Sequence, residues 1–349
     1  MISRMIFSLV VLFTCTVVNA GQSINVYNWS EYLPQEVIDL FTRETGVEVN
    51  YSTYDSNEVM YAKMKTLHAA GSGKGDYDLV VPSNYYISRM AGEGLLAELD
   101  HKLLPNLKNI DPKLLDRPFD PANKYSIPYL WGTTGIGVNI DSIASGSITS
   151  WADLWKEEFK NNVLLLDDMR EVMSLGLFAT GYSINDRDPA HIEEAYNKLT
   201  ELLPNVRLFD AESPKVKLLE GEVRLGMLWS GEAYMAELEE AGVVEYVYPS
   251  EGAVLWIDNM AIPSSARYPE LAHKFIDFMM RPEIAMMITE EIGYASPNLE
   301  AIKLLPQKVR ENRTVYPSAA DLKNAQMQEA VGDALPVYEK FWQKLKVAE

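Results

Sequence analysis

Short apolar runs alternate with helix-like segments from one end of this chain to the other. Residues 24–29 read as a strand, 34–45 as a helix stopped by Gly46, 47–51 as a second strand and 56–67 as a second helix. The apolar run 77–81 ends at Pro82 and leads into a helix over 84–91, with a stop at Gly92. Alternation of this kind predicts parallel strands joined by helical crossovers. Prolines and polar residues dominate 100–124, which should be irregular, and 68–75 reads as a Gly- and Ser-rich surface turn.

A second series begins after 125–139, where glycines at 132, 135 and 137 space an extended segment. It runs through strands at 163–166, 206–208, 224–227 and 244–247, with helices at 169–180, 189–203 and 232–241. Residues 254–262 are extended again, helices over 269–280 and 282–292 follow, and a helical tail is expected after Ser318. The stretches 132–139 and around Met260 are the expected crossovers of an α/β chain with two lobes. On this reading 21–132 plus 260–302 form one discontinuous lobe, and 133–259 plus 303–349 form the other. Ligands of α/β sheets sit at the carboxyl ends of strands, here facing the cleft between lobes.

The N-terminus adds an address. Arg4, an apolar run over 5–18, and Val18-Asn19-Ala20 ahead of Gly21 have the form of a secretory signal peptide cleaved after Ala20. The run is short for a bilayer span, and Val11-Leu12-Phe13-Thr14 lacks the small residue expected before a lipidated Cys15. Taking 20 residues from 349 leaves 329, enough to bury two cores. The only cysteine leaves with the leader, so disulfides, thiol catalysis and thiolate metal sites are excluded for the mature chain. The 31 basic and 50 acidic residues give a net charge of −19, and loss of Arg4 takes it to about −20. Such a polyanion attracts cations and repels nucleic acid and anionic membrane surfaces.

No catalytic constellation emerges. His68, His101, His191 and His273 are scattered without metal-ligand spacing, and Trp229-Ser230-Gly231 lacks the leading glycine of a nucleophile elbow. Gly71-Ser72-Gly73-Lys74-Gly75 superficially resembles a phosphate loop. However, His68 stands where its first glycine belongs and Gly75 where its metal-binding Ser or Thr belongs. Neither cofactor nor metal is expected.

What stands out instead is the chemistry of the predicted strand ends. Trp29-Ser30-Glu31-Tyr32, Ser83-Asn84-Tyr85, Asp167-Asp168-Met169-Arg170-Glu171 and Trp229-Ser230-Gly231 each follow an apolar run. Trp256 and Tyr294 lie in further segments of the same character. Each loop singly has a plain reading, such as a helix cap at Asp167 or Asp168, or a packing tryptophan. Together they combine aromatic faces, which attract ammonium groups and cover methylenes, with carboxylates that accept N–H bonds. That is the requirement of a flexible organic cation.

The motifs then become specific. Tyr27-Asn28-Trp29-Ser30-Glu31-Tyr32, Tyr51-Ser52-Thr53-Tyr54 and Asp78-Leu79-Val80-Val81-Pro82-Ser83-Asn84-Tyr85-Tyr86 resemble the periplasmic spermidine/putrescine-binding proteins of bacterial ABC importers. So do Tyr125-Ser126-Ile127-Pro128-Tyr129, Trp151-Ala152-Asp153-Leu154-Trp155, Asp167-Asp168-Met169-Arg170-Glu171, Trp256-Ile257-Asp258 and Ile292-Gly293-Tyr294. The resemblance implies a type II-like periplasmic binding fold, two α/β lobes joined by a hinge with the ligand in the cleft. It implies that Trp29, Tyr32, Trp229, Trp256 and Tyr294 contact polyamine methylenes. Glu31, Asp168, Glu171 and Asp258 would meet the charged nitrogens, with Ser30, Ser83, Tyr85 and Gln328 as hydrogen-bonding neighbours. Ser30 and Asn84 stand where threonine is familiar, and 68–75 looks longer than usual. The expected product is a monomeric, non-enzymatic periplasmic receptor that serves an inner-membrane ABC permease. The alternative is a sensor of the same fold that addresses a membrane signalling receptor.

Overall fold

The computed structural model describes residues 22–71 and 75–348, so the expected signal peptide lies outside the described residues. The first series is β1 (Ser23–Trp29), α1 (Gln35–Thr45), β2 (Glu48–Tyr54), α2 (Asn57–Ala69), β3 (Leu79–Val80) and α3 (Asn84–Gly92). β1 pairs in parallel with both β2 and β3, as helical crossovers require. Residues 101–123 are irregular, with short 3-10 turns. Then β4 (Ser126–Asn139) runs for 14 residues without a break.

The second series is β5 (Val163–Leu165), α4 (Met169–Thr180), α5 (Pro189–Leu202), β6 (Val206–Phe209), α6 (Pro214–Leu219), β7 (Leu225–Trp229), α7 (Ser230–Glu239) and β8 (Val244–Val247). β5 lies parallel to β6 and β7. β9 (Val254–Ala261) then returns antiparallel to β4, and α8 (Pro269–Met279) and α9 (Pro282–Ile292) follow. Short helices α10 (Leu299–Leu304) and α11 (Gln307–Arg310), strand β10 (Gln326–Met327) and α12 (Leu335–Val347) complete the described chain.

The strands join in the order β2-β1-β3-β9-β4-β7-β5-β6, with β10 beside β9 and β8 beside β4. One half of β4 therefore pairs within the neighbourhood of β3 and β9, while its other half pairs with β7 and β8. β4 and β9 are the two passages between the parallel series. α8 packs over the turns at 101–109, and α12 packs on α4 and α5. Among the described residues no helix is long and apolar enough to cross a membrane.

The C-terminal segment differs from expectation, because the helix begins at Leu335 and not soon after Ser318. The misleading signal is real but local. Ser318 and Asp321 bond reciprocally, Ser318 N–H to Asp321 Oδ2 at 2.8 Å and Asp321 N–H to Ser318 Oγ at 3.3 Å. This is the start signature of a helix, but Arg313 also binds Asp321 and Asn324 donates to the Ser250 carbonyl, so the chain turns away. It then forms β10, which the sequence reading lacked, along with α6, α10 and α11.

Candidate ligand-binding cleft

Strand ends converge on one cleft of about 620 Å³. β1 delivers Trp29, Ser30, Glu31 and Tyr32; the exit from β3 delivers Ser83 and Tyr85; β5 leads to Asp168 and Glu171. β7 ends on Trp229, β9 carries Trp256 and Asp258, the turn after α9 places Tyr294, and the residue after β10 is Gln328. All thirteen expected site residues thus line the same space. Tyr54, quoted above within a motif but given no role, lines it too, as do Asn57, Ala211, Glu212 and Glu232, which no sequence motif marks. Asn57 follows the N-cap Ser56 and reads as an ordinary helix start, yet its amide donates to Ser83 Oγ and Tyr85 Oη at 3.0 and 2.9 Å.

Asp258 lines the cleft and is 5 % exposed. Tyr32 Oη and Ser83 Oγ donate to its two oxygens at 2.7 and 2.6 Å. Burial nonetheless pushes its pKa up to about 7, the two hydroxyls working in the opposite direction and the charge of Asp168 adding to the rise. Asp168 caps α4 by accepting from Glu171 N–H at 3.0 Å, so the plain reading as a helix cap holds, and the same residue lines the cleft. Its pKa is raised by burial, against the pull of backbone donors and Arg170. Glu171, one turn along, is pushed up to about 8 by burial and the Asp168 charge. Glu171 Oε2 and Gln328 Nε2 are buried and bond to no protein atom. Buried carboxylates without a cation are expensive, and this cleft concentrates several.

Glu31 is held differently from the other three acids. It sits in the turn after β1 with φ +48°, and its Oε2 lies 2.6 Å from Lys215 Nζ of α6. Glu239 and Glu232 approach the same ammonium at 3.6 and 3.9 Å. Burial lowers the pKa of Lys215, but the three glutamates outweigh it and the net shift is upward. Glu232 is raised to about 7, by burial first, with Lys215 opposing and Glu31 reinforcing.

Aromatic rings form the walls. Trp256 meets Tyr294 edge to face at 5.3 Å, and Tyr294 meets Tyr32 at 5.2 Å. Trp256 Nε1 donates to Thr134 Oγ1 at 3.1 Å, and Trp29 Nε1 donates to the Val81 carbonyl at 3.0 Å. Two glycines make room for the rings. A Cβ at Gly132 would stand 2.6 Å from the Trp256 ring, and one at Gly231 would stand 2.4 Å from Tyr294. Asn84 ties the far side together. Its amide donates to the Gln328 carbonyl, and its Oδ1 accepts from Ile257 N–H at 3.2 Å.

The profile of the family described as bacterial extracellular solute-binding protein matches residues 36–315. The chain belongs to that family. This solute-binding protein is 50% identical over 327 residues to the spermidine/putrescine-binding periplasmic protein of Escherichia coli, covering 93% of this chain and 92% of that one. It is 46% identical over 330 residues to the spermidine/putrescine-binding periplasmic protein 1 of Haemophilus influenzae, covering 95% and 90%. Among solved structures, it superposes on the spermidine/putrescine ABC transporter substrate-binding protein of Streptococcus pneumoniae with a TM-score of 0.76 at 39% identity, covering 94% and 99%. A Treponema pallidum lipoprotein gives 0.80 at 28% identity over 93% and 99%. The solute-binding protein therefore has the type II-like periplasmic fold of two α/β lobes joined by a hinge.

Proposed function

We infer that this solute-binding protein captures a polyamine, spermidine or putrescine, in the periplasm and delivers it to an ABC permease of the inner membrane. The observation that carries this is a cleft walled by indole and phenol rings that gathers three buried acids, Asp168, Glu171 and Asp258, whose pKa values burial raises. A polyamine supplies both missing parts, ammonium groups for the acids and methylenes for the rings. The relatives' designations favour transport over a sensor of the same fold. The thirteen expected residues, among those that line the cleft, are the proposed contacts, in the roles the resemblance implies. The lobes we propose are 21–132 plus 260–302 and 133–259 plus 303–349. We infer further that the chain is a monomer without enzymatic activity, that it avoids nucleic acid, and that its leader is cleaved after Ala20.

Isothermal titration of ligand-stripped protein with putrescine, cadaverine, spermidine and norspermidine tests the reading. One-to-one binding of at least one of these is expected, and heats at the level of dilution for all four would overturn it. The same titration reads Trp256. Trp256→Ala should weaken binding by roughly 2–4 kcal/mol through lost methylene burial and cation–π contact, and Trp256→Phe by clearly less. Trp256→Ala protein that folds and binds with wild-type affinity would remove the indole from the site.

A further inference from the structure

Lys215 places the protein's own ammonium beside the cleft. Its side chain is 4 % exposed, and Glu31, Glu239 and Glu232 surround Nζ at 2.6, 3.6 and 3.9 Å. Two of those acids, Glu31 and Glu232, line the ligand cleft, whereas Glu239 does not. Lysine is four methylenes ending in an ammonium, the same arm that putrescine and the aminobutyl end of spermidine carry. Two of the lining acids are thus already served by an aminobutyl group.

We propose that Lys215 is a tethered ammonium that occupies Glu31 from beside the cleft and sets selectivity, favouring diamines over triamines. The inference rests on the polyamine reading above and adds a residue with a role in it. Two consequences of the geometry act in the same direction. A diamine that bridges the Asp258 and Glu171 region leaves the Glu31–Lys215 pair intact. That pair connects the turn after β1 with α6, so it also fastens the two lobes across the cleft. A triamine reaching Glu31 must share that carboxylate with Lys215, and like charges drawn to one acceptor repel. Removing the lysine charge takes a fastening away from the diamine complex and gives the triamine a vacant acid.

The test is the ratio of spermidine to putrescine affinity, measured by titration on the full mature chain. Lys215→Met should move that ratio toward spermidine by about tenfold, and Lys215→Arg, which keeps the charge, should hold it within about twofold. Glu239→Gln should move it the other way, toward putrescine, because Lys215 then carries less compensation. Glu239 is half exposed and outside the cleft, so this variant does not depend on the fold tolerating an unpaired buried cluster and decides the matter if Lys215→Met fails to fold. An unmoved ratio in both Lys215→Met and Glu239→Gln overturns the inference, as does Lys215→Arg moving as far as Lys215→Met. Wild-type protein that binds neither amine overturns the polyamine reading, and the inference falls with it.

Discussion

Asp258→Asn should lower polyamine affinity at least tenfold at pH 8. The carboxylate is buried and both its oxygens accept from hydroxyls, Tyr32 and Ser83, which hold it in place at the cleft wall. An amide of the same shape keeps one acceptor, turns a donor toward those hydroxyls and removes the charge. Leaving a buried ammonium without its partner costs on the order of 2–5 kcal/mol. The gap between wild type and variant should narrow at pH 5.5, because Asp258 with a pKa of about 7 is then protonated in the free protein and must release its proton to bind. Titration at the two pH values reads both effects. Wild-type affinity in Asp258→Asn at pH 8 would take Asp258 out of the site.

The second expectation concerns the empty cleft. With the cleft acids buried as they are here, Asp258 and Glu232 are raised to about 7 and Glu171 to about 8, in each case chiefly by burial. An acid whose pKa is higher when closed than when solvated favours closure while protonated, and that advantage is lost as pH rises through the raised value. For a single carboxyl raised by about three units, the closed, ligand-free state is disfavoured above pH 8 by on the order of 4 kcal/mol. Opening the lobes and wetting the acids relieves this. A di- or trivalent cation relieves it without opening, since it binds the closed state far better than the open one. Small-angle scattering should therefore show the ligand-free radius of gyration increasing between pH 5.5 and 8.5. Saturating spermidine should return it to one compact value at both. A radius unaffected by pH and by spermidine would contradict closure of this kind while leaving binding itself intact.

Much of this arrangement can be read from the chain because several cleft residues sit where an apolar run stops. Trp29 and Trp229 end strands, Ser83 and Asp168 come just after apolar runs, and α/β topology collects such ends on one side. Gln328 is different, since it followed from family resemblance alone. Its strand, β10, has two residues, too few to leave a pattern. Lys215 and Glu232 were not legible for another reason. Pro214-Lys215-Val216-Lys217 looks like the solvated face of a short helix, and Glu232 looks like an ordinary first-turn acid. Only tertiary structure brings Glu31 to Lys215 across 184 residues of chain. The false helix start at Ser318 shows the converse, a correct local bond pattern overruled by partners at Arg313 and Ser250.

β4 and β9 are bonded to each other along all eight residues of β9, with a single irregularity between Pro128 and Leu130. Two ribbons fused along their edges behave as a strap, which flexes across its flat face and resists sliding or twisting within it. Motion between the lobes is thereby confined to nearly one direction, and every closed molecule should offer the same outer surface to whatever receives it. Trp256 and Asp258 belong to that strap, and the indole lies against its other strand at Gly132. A ligand seated on them bears on the flexing part itself, so occupancy and shape are read at the same few residues.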